Sequence, residues 1–545
     1  MPFLIAPTPE NRVETVDYCI VGAGPAGCVL ASRLSEDGRS TVMLLEAGPR
    51  DSHPFIHIPA AFIFVYNNAR YNWQYQSEPE PTLNDRSLVI TQGKVLGGSS
   101  SINGMLHVRG QKEEFDHWAQ SGCTGWSYEE LLPYFRKAET YRGKASVDRS
   151  LRGSDGPYVV SESSFIHPLT RAFVEGAQEI GMPYVADMNG DTREGAAYFQ
   201  HNVDGRFRSQ PAQTYLRLAR NRSNLEVKVE AIAIKVLFDG RRAIGVTYMQ
   251  GAQPRKVMAR REVIVCAGVF KSPHLLQLSG IGDPGLLSDL GIPLLVASPA
   301  VGRNLRDHFL ISAVQRVQGI NTLNEISRGL LLVKELVKYA MLGTGLLTMG
   351  TGSAGCFFRS RPGLPAPDAQ LMFVHGSYGP VPGVLEKEPG VTIGSWPSHP
   401  RSHGTVSART ASPLDRPAIR LNFLSAEDDQ RVVVECVRKS RAIFSSRAMS
   451  PWSVREIKPG DDVRTDDEVI AFARQYGRSG MHFAGTCRMG SDEAAVVDPQ
   501  LRVRGVSGLR VVDASVFPNC TVGNINATIV AMAERAADLI SAADA

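Results

Sequence analysis

The 545-residue sequence has no two cysteines in CxxC spacing, and its eight cysteines are scattered along the chain. This scatter argues against a disulfide framework, since several of these cysteines lie in apolar runs where a thiol acts as a small hydrophobic side chain. A cytoplasmic location is therefore expected. Residues 1–12 contain an apolar patch with no basic segment before it, so no secretory signal is expected either.

The sequence also lacks a cluster of Lys and Arg with interleaved aromatic residues, and its net charge is only +4. No nucleic-acid partner is expected. An uninterrupted apolar run is missing as well, because Lys334, Glu335 and Lys338 divide the apolar segment 329–349. We predict no transmembrane segment there. The pattern predicts an amphipathic helix from about 326 to 342, in the core or as a lid over a site rather than as an interfacial anchor.

Near the N-terminus, an apolar run from 16 to 21 leads into three glycines in GxGxxG spacing, Gly22, Gly24 and Gly27. A helical pattern follows, and a second apolar run ends at Glu46. These glycines suit a tight turn, the approach of a pyrophosphate and helix–strand packing, while a terminal acid can accept hydrogen bonds from a ribose. The segment predicts a dinucleotide site.

A second GxGxxG between a strand and a helix is absent from the rest of the chain. An enzyme that reduced a bound flavin with a nicotinamide would usually need two such sites. The residues therefore leave two alternatives, an NAD dehydrogenase or a flavoprotein reduced by its own substrate.

The stretch MHFAGTCRMG at 481–490 places a histidine and a cysteine in a glycine-flanked turn. His482 could be a base, a metal ligand with Cys487, or a packed residue. Zinc sites need three or four protein ligands, and no nearby Cys or His completes the set, so no metal site is predicted. His308 and His274 are expected to be structural, and no GxSxG nucleophile elbow is present.

Six ordered motifs extend this pattern over nearly the whole chain: GAGPAG with LLEAG, GKVLGGSSSING, VIVCAGVFKSPHLLQLSGIG, VGRNLRDH, HFAGTCRMG, and the C-terminal segment 511–540. In them the sequence resembles the glucose-methanol-choline oxidoreductases, and more closely their choline-dehydrogenase-like bacterial branch. The resemblance implies FAD and the oxidation of an alcohol.

The resemblance also implies residue roles. His482 matches the family's catalytic base, and we assign the partner position, His or Asn in relatives, to Asn526 as a hydrogen-bond donor. Ile102 stands where many relatives carry a histidine bound covalently to the flavin, so non-covalent FAD is predicted. Phe483 replaces a usual proline, so it is predicted, with His482 and Asn526, to shape the substrate pocket.

Positions within the motifs, together with Ala233 outside them, are predicted to bind the cofactor. They are Gly22, Gly24, Pro25, Ala26, Gly27, Glu46, Ala47, Gly93, Val95, Gly97, Gly98, Ser99, Asn103, Gly104, Ala233, Ala267, Gly268, Asp513, Ala514, Asn524, Ile525 and Asn526. A helix from about 525 to 541 is expected to direct its positive end at the flavin.

The predicted fold is α/β, and α+β overall. A Rossmann-type FAD-binding domain with a parallel sheet is expected at 14–154, 216–310 and 481–545. A substrate domain at 155–215 and 311–480 should carry an antiparallel sheet flanked by helices, since residues 390–424 alternate polar and apolar residues between turns.

The predicted function is oxidation of a primary alcohol to the aldehyde, with dioxygen or a quinone-type acceptor reoxidising the flavin. A redox-silent lyase of the hydroxynitrile-lyase type on the same scaffold is the alternative, and a non-enzymatic FAD-binding protein is a third hypothesis. The alcohol itself and assembly into a homo-oligomer are left open.

Overall fold

The computed structural model describes residues 13–143, 147–379 and 383–543. The expectation about a secretory signal concerns residues 1–12 and lies outside these ranges. The α-helices of the described part are Pro25–Leu34, Pro54–His57, Phe62–Tyr66, Lys112–Gln120, Tyr128–Ala138, Pro168–Glu179, Arg217–Ala219, Gly268–Leu278, Pro284–Asp289, Leu323–Ile326, Gly329–Leu342, Glu427–Phe444, Asp466–Tyr476 and Asn526–Ala543. None of them is long and apolar enough to cross a membrane.

The first sheet has seven strands. Its order is Leu225–Lys228, Val42–Leu45, Glu14–Val21, Gln253–Val265, Arg242–Gln250 and Ala231–Asp239, with Leu509–Val511 also paired to Gln253–Val265. The first four strands in this order pair in parallel with one another. Leu509–Val511 also pairs in parallel with Gln253–Val265. Parallel strands end at a common edge, and Gly22, Glu46, Cys266 and Asp513 follow these strands there.

The second sheet also has seven strands. Its order is Ser453–Lys458, Phe309–Val317, Gly390–Pro397, Ala369–Val374, Ala354–Phe358 and Gly195–Tyr198, with Arg478–Ser479 also paired to Phe309–Val317. All of these pairs are antiparallel. The predicted fold class, a parallel sheet combined with an antiparallel one, is confirmed.

Successive side chains in each strand of the second sheet point to opposite faces of the sheet. Leu371 and Ile393 pack in one apolar cluster with Phe173, Val432 and Cys436. These three residues belong to the helices that cover one face of the sheet. The opposite face borders a cavity.

The strands of the first sheet all lie in the ranges predicted for the FAD-binding domain. The strand Phe309–Val317 of the second sheet crosses the predicted boundary at 310/311. The domain ranges stay a prediction.

The predicted helix near 326–342 is present as Gly329–Leu342, but it does not lie in the core, one of the two placements predicted for it. Only Tyr339 of this helix is buried, while Leu330 is 86% and Met341 75% exposed. The helix contributes no residue to the cavity wall. Periodicity identified the helix but could not show which of its apolar sides another element would cover.

Candidate active site

The glycine turn after the first strand has the geometry that a nucleotide requires. Gly22 has φ +102°, and a side chain there would collide with the carbonyl oxygen of Cys266. A side chain at Gly27 would collide with the Gly22 carbonyl, so Gly27 allows the predicted close packing of helix on strand. Beside Gly24, at the start of helix Pro25–Leu34, the nearest atom to an added Cβ is 4.0 Å away. This open space suits a phosphate at a helix N-terminus.

Glu46 supports the same turn. Its Oε2 accepts a hydrogen bond from the Ala23 amide at 2.9 Å, and its Oε1 accepts one from the Gly48 amide at 2.7 Å. Burial raises the pKa of this carboxyl group to about 7. Glu46 also lines the cavity, where a contact to a ribose stays a prediction.

A cavity of about 970 Å³ extends from the glycine turn to His482. Its wall includes all the predicted cofactor-binding residues except Gly27, Val95 and Gly97. Val95 is packed in a small apolar cluster, and Gly97 has φ +91° in a turn against Gln210. These two positions shape the loop behind the wall rather than the wall itself.

Asp513 lines the cavity but is already well bonded. Its Oδ2 accepts hydrogen bonds from the Gly268 amide and the Ser272 hydroxyl, and its Oδ1 accepts one from the Ser515 amide. It therefore joins the last parallel strand to the start of helix Gly268–Leu278. Its predicted contact with the cofactor stays a prediction.

Two distant motifs are joined around His482. The Gly480 amide donates to the His308 carbonyl at 2.7 Å, and the Ala484 amide donates to the Arg306 carbonyl at 2.9 Å. The His482 amide donates to Asp307 Oδ1 at 2.7 Å, and the Ser479 hydroxyl donates to the other oxygen of the same carboxyl. VGRNLRDH thus holds the backbone of HFAGTCRMG.

His308, which the sequence predicts to be structural, lies in direct contact with His482. Its Nδ1 lies 2.9 Å from Nδ1 of His482, and its Nε2 lies 3.1 Å from the Ser398 carbonyl oxygen. A carbonyl can only accept, so Nε2 of His308 carries the proton and Nδ1 is bare. His482 therefore donates from its own Nδ1, which leaves Nε2 of His482 without a proton and able to accept a hydrogen bond.

Both rings are neutral near pH 7. Burial lowers the pKa of His482 to about 4, and burial, together with repulsion from His482 in its protonated form, holds the pKa of His308 well below its usual range. A neutral imidazole with a bare Nε2 is the form of histidine that can take a proton.

The residue facing that lone pair is Asn524, not the predicted Asn526. Nδ2 of Asn524 donates to Nε2 of His482 at 2.8 Å, whereas Nδ2 of Asn526 donates to the Tyr158 hydroxyl at 2.5 Å. Asn524 precedes the helix that begins at Asn526, so the two side chains leave the backbone in different directions. Asn524 Oδ1 is buried without a hydrogen-bond partner in the described part, which leaves an acceptor available to a ligand.

The remaining predicted residues have simple positions. Phe483 lines the cavity and packs edge-on against Phe270 with ring centroids 4.8 Å apart. Cys487 is buried, and its amide donates to the Ser515 carbonyl. Ile102 is buried with Ile56 and Val95 and does not line the cavity, so no nucleophile replaces the missing histidine at that position.

Comparison with known proteins identifies the family of this chain. The GMC oxidoreductase family models match residues 16–310 and 400–533. The mitochondrial choline dehydrogenase of Homo sapiens is 41% identical over 543 residues, 97% of this chain and 90% of that protein. The oxygen-dependent choline dehydrogenase of Brucella canis is 40% identical over 534 residues, 96% of this chain and 95% of that protein.

Solved structures show the same fold. Pyridoxine 4-oxidase from Mesorbium loti superposes with a TM-score of 0.86 at 28% identity, covering 96% of this chain and 98% of that one. A formate oxidase variant from Aspergillus oryzae superposes with a TM-score of 0.91 at 28% identity, covering 97% and 99%. The chain therefore belongs to the GMC oxidoreductase family and is an FAD-dependent oxidoreductase that acts on CH–OH donors.

Proposed function

We propose that this chain oxidises a primary alcohol to its aldehyde with His482 as the base and Asn524 as the hydrogen-bond donor. The observation that carries this proposal is the bare Nε2 of a neutral histidine, 2.8 Å from an amide nitrogen in the wall of the cofactor cavity. Asn524 takes the role that the sequence motif alone assigned to Asn526.

The proton is moved by residues of the chain. An alcohol hydroxyl that takes the place of the Asn524 amide at Nε2 of His482 donates to that nitrogen, and its oxygen accepts a hydrogen bond from the displaced Nδ2 of Asn524. As Nε2 takes the proton, negative charge develops on the alcohol oxygen, and the amide stabilises it. Bound FAD supplies the acceptor for the hydride that leaves the carbinol carbon. No contact among the described residues favours the lyase alternative.

His308 acts through His482. While Nδ1 of His308 accepts from Nδ1 of His482, the base keeps its reactive nitrogen directed at the cavity. The same hydrogen bond persists after Nε2 is protonated, so the imidazolium formed in the reaction keeps a hydrogen-bond acceptor at Nδ1.

We propose that FAD is held without a covalent bond. The open space at Gly24 and the amides of the glycine turn suit its pyrophosphate, and the side chain at position 102 is a buried hydrocarbon. Acid denaturation of the yellow protein should leave the flavin in the supernatant. Flavin absorbance that stays with the precipitated polypeptide would contradict this.

The electron acceptor is proposed to be dioxygen or a quinone. Reoxidation of the alcohol-reduced protein by air and by a soluble quinone, followed at the same flavin concentration, would separate these cases.

The cytoplasm remains the proposed location, in keeping with eight free and buried cysteines. Assembly into a homo-oligomer also remains a prediction.

The test of the function is an anaerobic titration with a panel of primary alcohols. We expect at least one alcohol to bleach the flavin, with one aldehyde formed for each flavin reduced. A flavin that no alcohol of the panel bleaches, or that bleaches without aldehyde, would overturn the proposal.

A further inference from the structure

The charged residues around the cavity are divided unevenly. In the described part of the chain, the only carboxylates in its wall are Glu46 and Asp513, both beside the first sheet. Each of them already accepts at least two hydrogen bonds from the protein. Neither lies on the side of the cavity formed by the second sheet.

The second-sheet side is apolar with small polar groups. Its residues are Leu310, Ser312, Val314, Met372, Val374, Thr392 and Trp396. The Trp396 ring lies 5.9 Å from the His482 ring, centroid to centroid, so this face borders the base directly. An alcohol bound at His482 must place its body against these side chains.

The charges on this side are positive. Lys458 and Arg478, from two strands of the second sheet, line the cavity, and neither has an ion pair within the described ranges. Burial raises the pKa of both Tyr66 and Tyr378, and the nearby Arg478 charge opposes this rise. Arg478 is an exposed residue of the cavity wall, whereas Lys458 is partly buried.

The carboxyl group nearest to His482 is occupied. Asp307 accepts from the His482 amide and the Ser479 hydroxyl, and burial raises its pKa to about 7. It does not line the cavity. No anion of the described residues is therefore available to a substrate cation beside the base.

We infer that the site accepts primary alcohols with an uncharged apolar or aromatic body and selects against alcohols that carry a quaternary ammonium group. A cation loses its hydration on entering and would meet Lys458 and Arg478 without a counter-charge. A neutral body of the same shape gains from burial against Leu310, Met372 and Trp396. This inference rests on the proposed function, and it distinguishes the chain from the choline dehydrogenases that it resembles, whose name states a quaternary ammonium alcohol as substrate.

The test compares choline with 3,3-dimethylbutan-1-ol, which has the same shape with carbon in place of the charged nitrogen. We would measure the second-order rate constant of anaerobic flavin reduction with each, and with benzyl alcohol. We expect the neutral isostere to react at least about tenfold faster than choline, the size of effect that one nearby charge produces. Equal rates, or faster reduction by choline, would overturn the inference.

A charge-removing variant separates electrostatics from the intrinsic reactivity of the two alcohols. In Lys458→Gln/Arg478→Gln, the ratio of the choline rate to the isostere rate should rise about tenfold. The control Lys235→Gln, on an exposed position of a first-sheet strand, should leave the ratio unchanged. An unchanged ratio in the double variant would also overturn the inference. Bleaching by benzyl alcohol in every case shows that the proposed function itself stands, and bleaching by no alcohol would overturn both.

Discussion

At the scale of single residues, neighbouring groups determine which ring nitrogen of His482 lacks a proton and can act as the base. The Ser398 carbonyl fixes the proton on Nε2 of His308, and this fixes the proton on Nδ1 of His482. The result is one tautomer, with the lone pair in the cavity beside Asn524. A histidine thus orients the ring of the base, while the Asp307 carboxyl group holds its backbone amide.

Replacing His308 tests this relay. In His308→Phe, Nδ1–H of His482 loses its acceptor, so the rate constant of flavin reduction should fall about 100-fold, within the range that a general base contributes. His308→Asn offers an amide oxygen near the position of Nδ1 and should recover part of the rate. The dissociation constant of the alcohol should change little in both variants.

A merely structural role for His308 would give a different result. His308→Phe and His308→Asn would then lose FAD and thermal stability together, and the rate per bound flavin would not separate them.

The assignment of Asn524 over Asn526 gives a second test. Asn524→Ala removes the amide beside Nε2 of His482 and should lower the rate of flavin reduction about 100- to 1000-fold. Asn526→Ala removes the hydrogen bond to Tyr158 and should cost about 1 kcal/mol of stability with a smaller loss of rate. Tyr158→Phe is the matched control and should resemble Asn526→Ala. A larger rate loss in Asn526→Ala than in Asn524→Ala would reverse the assignment.

At the scale of elements, alternate residues in a strand of the second sheet pack into the helix-covered core or line the cavity. Residues 310, 312 and 314 line the cavity, whereas Ala313 packs in the core cluster. The helix Gly329–Leu342 has no comparable division, since its apolar side chains remain exposed on several sides. Its packing contribution is therefore concentrated at Tyr339.

This distribution can be measured by urea unfolding. Leu330→Gln and Met341→Gln should each change the unfolding free energy by less than about 0.5 kcal/mol, because exposed positions contribute little. Tyr339→Phe removes the hydrogen bond from the buried tyrosine to the Arg206 carbonyl and should cost about 1 kcal/mol. A large loss in Leu330→Gln would indicate that another surface covers this helix in solution.

At the scale of the whole molecule, the sequence motifs predicted much of the architecture because their signals are local. A strand, three spaced glycines and a terminal acid lie within about thirty residues, so the nucleotide fold could be recognised from them. The contact between His308 and His482 joins positions 174 apart, and no local pattern indicates it. Asn524 and Asn526 are two residues apart in one motif, and only the start of the helix determines which side chain faces the base.

Several histidines buried in the neutral form make the stability of the molecule depend on pH. Burial lowers the pKa of His201 to about 4 and holds the pKa of His375 well below its usual range. The unfolded chain binds these protons near pH 6.5, so stability is fully present above that pH and is lost as the pH falls through about 4.

The raised pKa of Glu46 and Asp307, about 7 in each case, acts in the opposite direction, but these carboxyl groups are fewer than the buried histidines, so the urea concentration at the midpoint should decrease as the pH is lowered from 7 to 5. For His201 alone the loss at pH 5 is about 2 kcal/mol. In His201→Gln, the unfolding free energy lost between pH 7 and pH 5 should be smaller by that amount. His403 is exposed, so His403→Gln should not change this loss. A midpoint that rises as the pH falls from 7 to 5 would contradict this prediction.

The central claim is that His482 takes the hydroxyl proton of a primary alcohol in an FAD-dependent oxidation. Anaerobic stopped-flow reduction of the flavin, compared between the native protein and His482→Ala at equal FAD occupancy, tests it most directly. We predict rapid bleaching in the native protein and a rate at least about 100-fold lower in the variant. Equal rates of bleaching in the two proteins would contradict the claim.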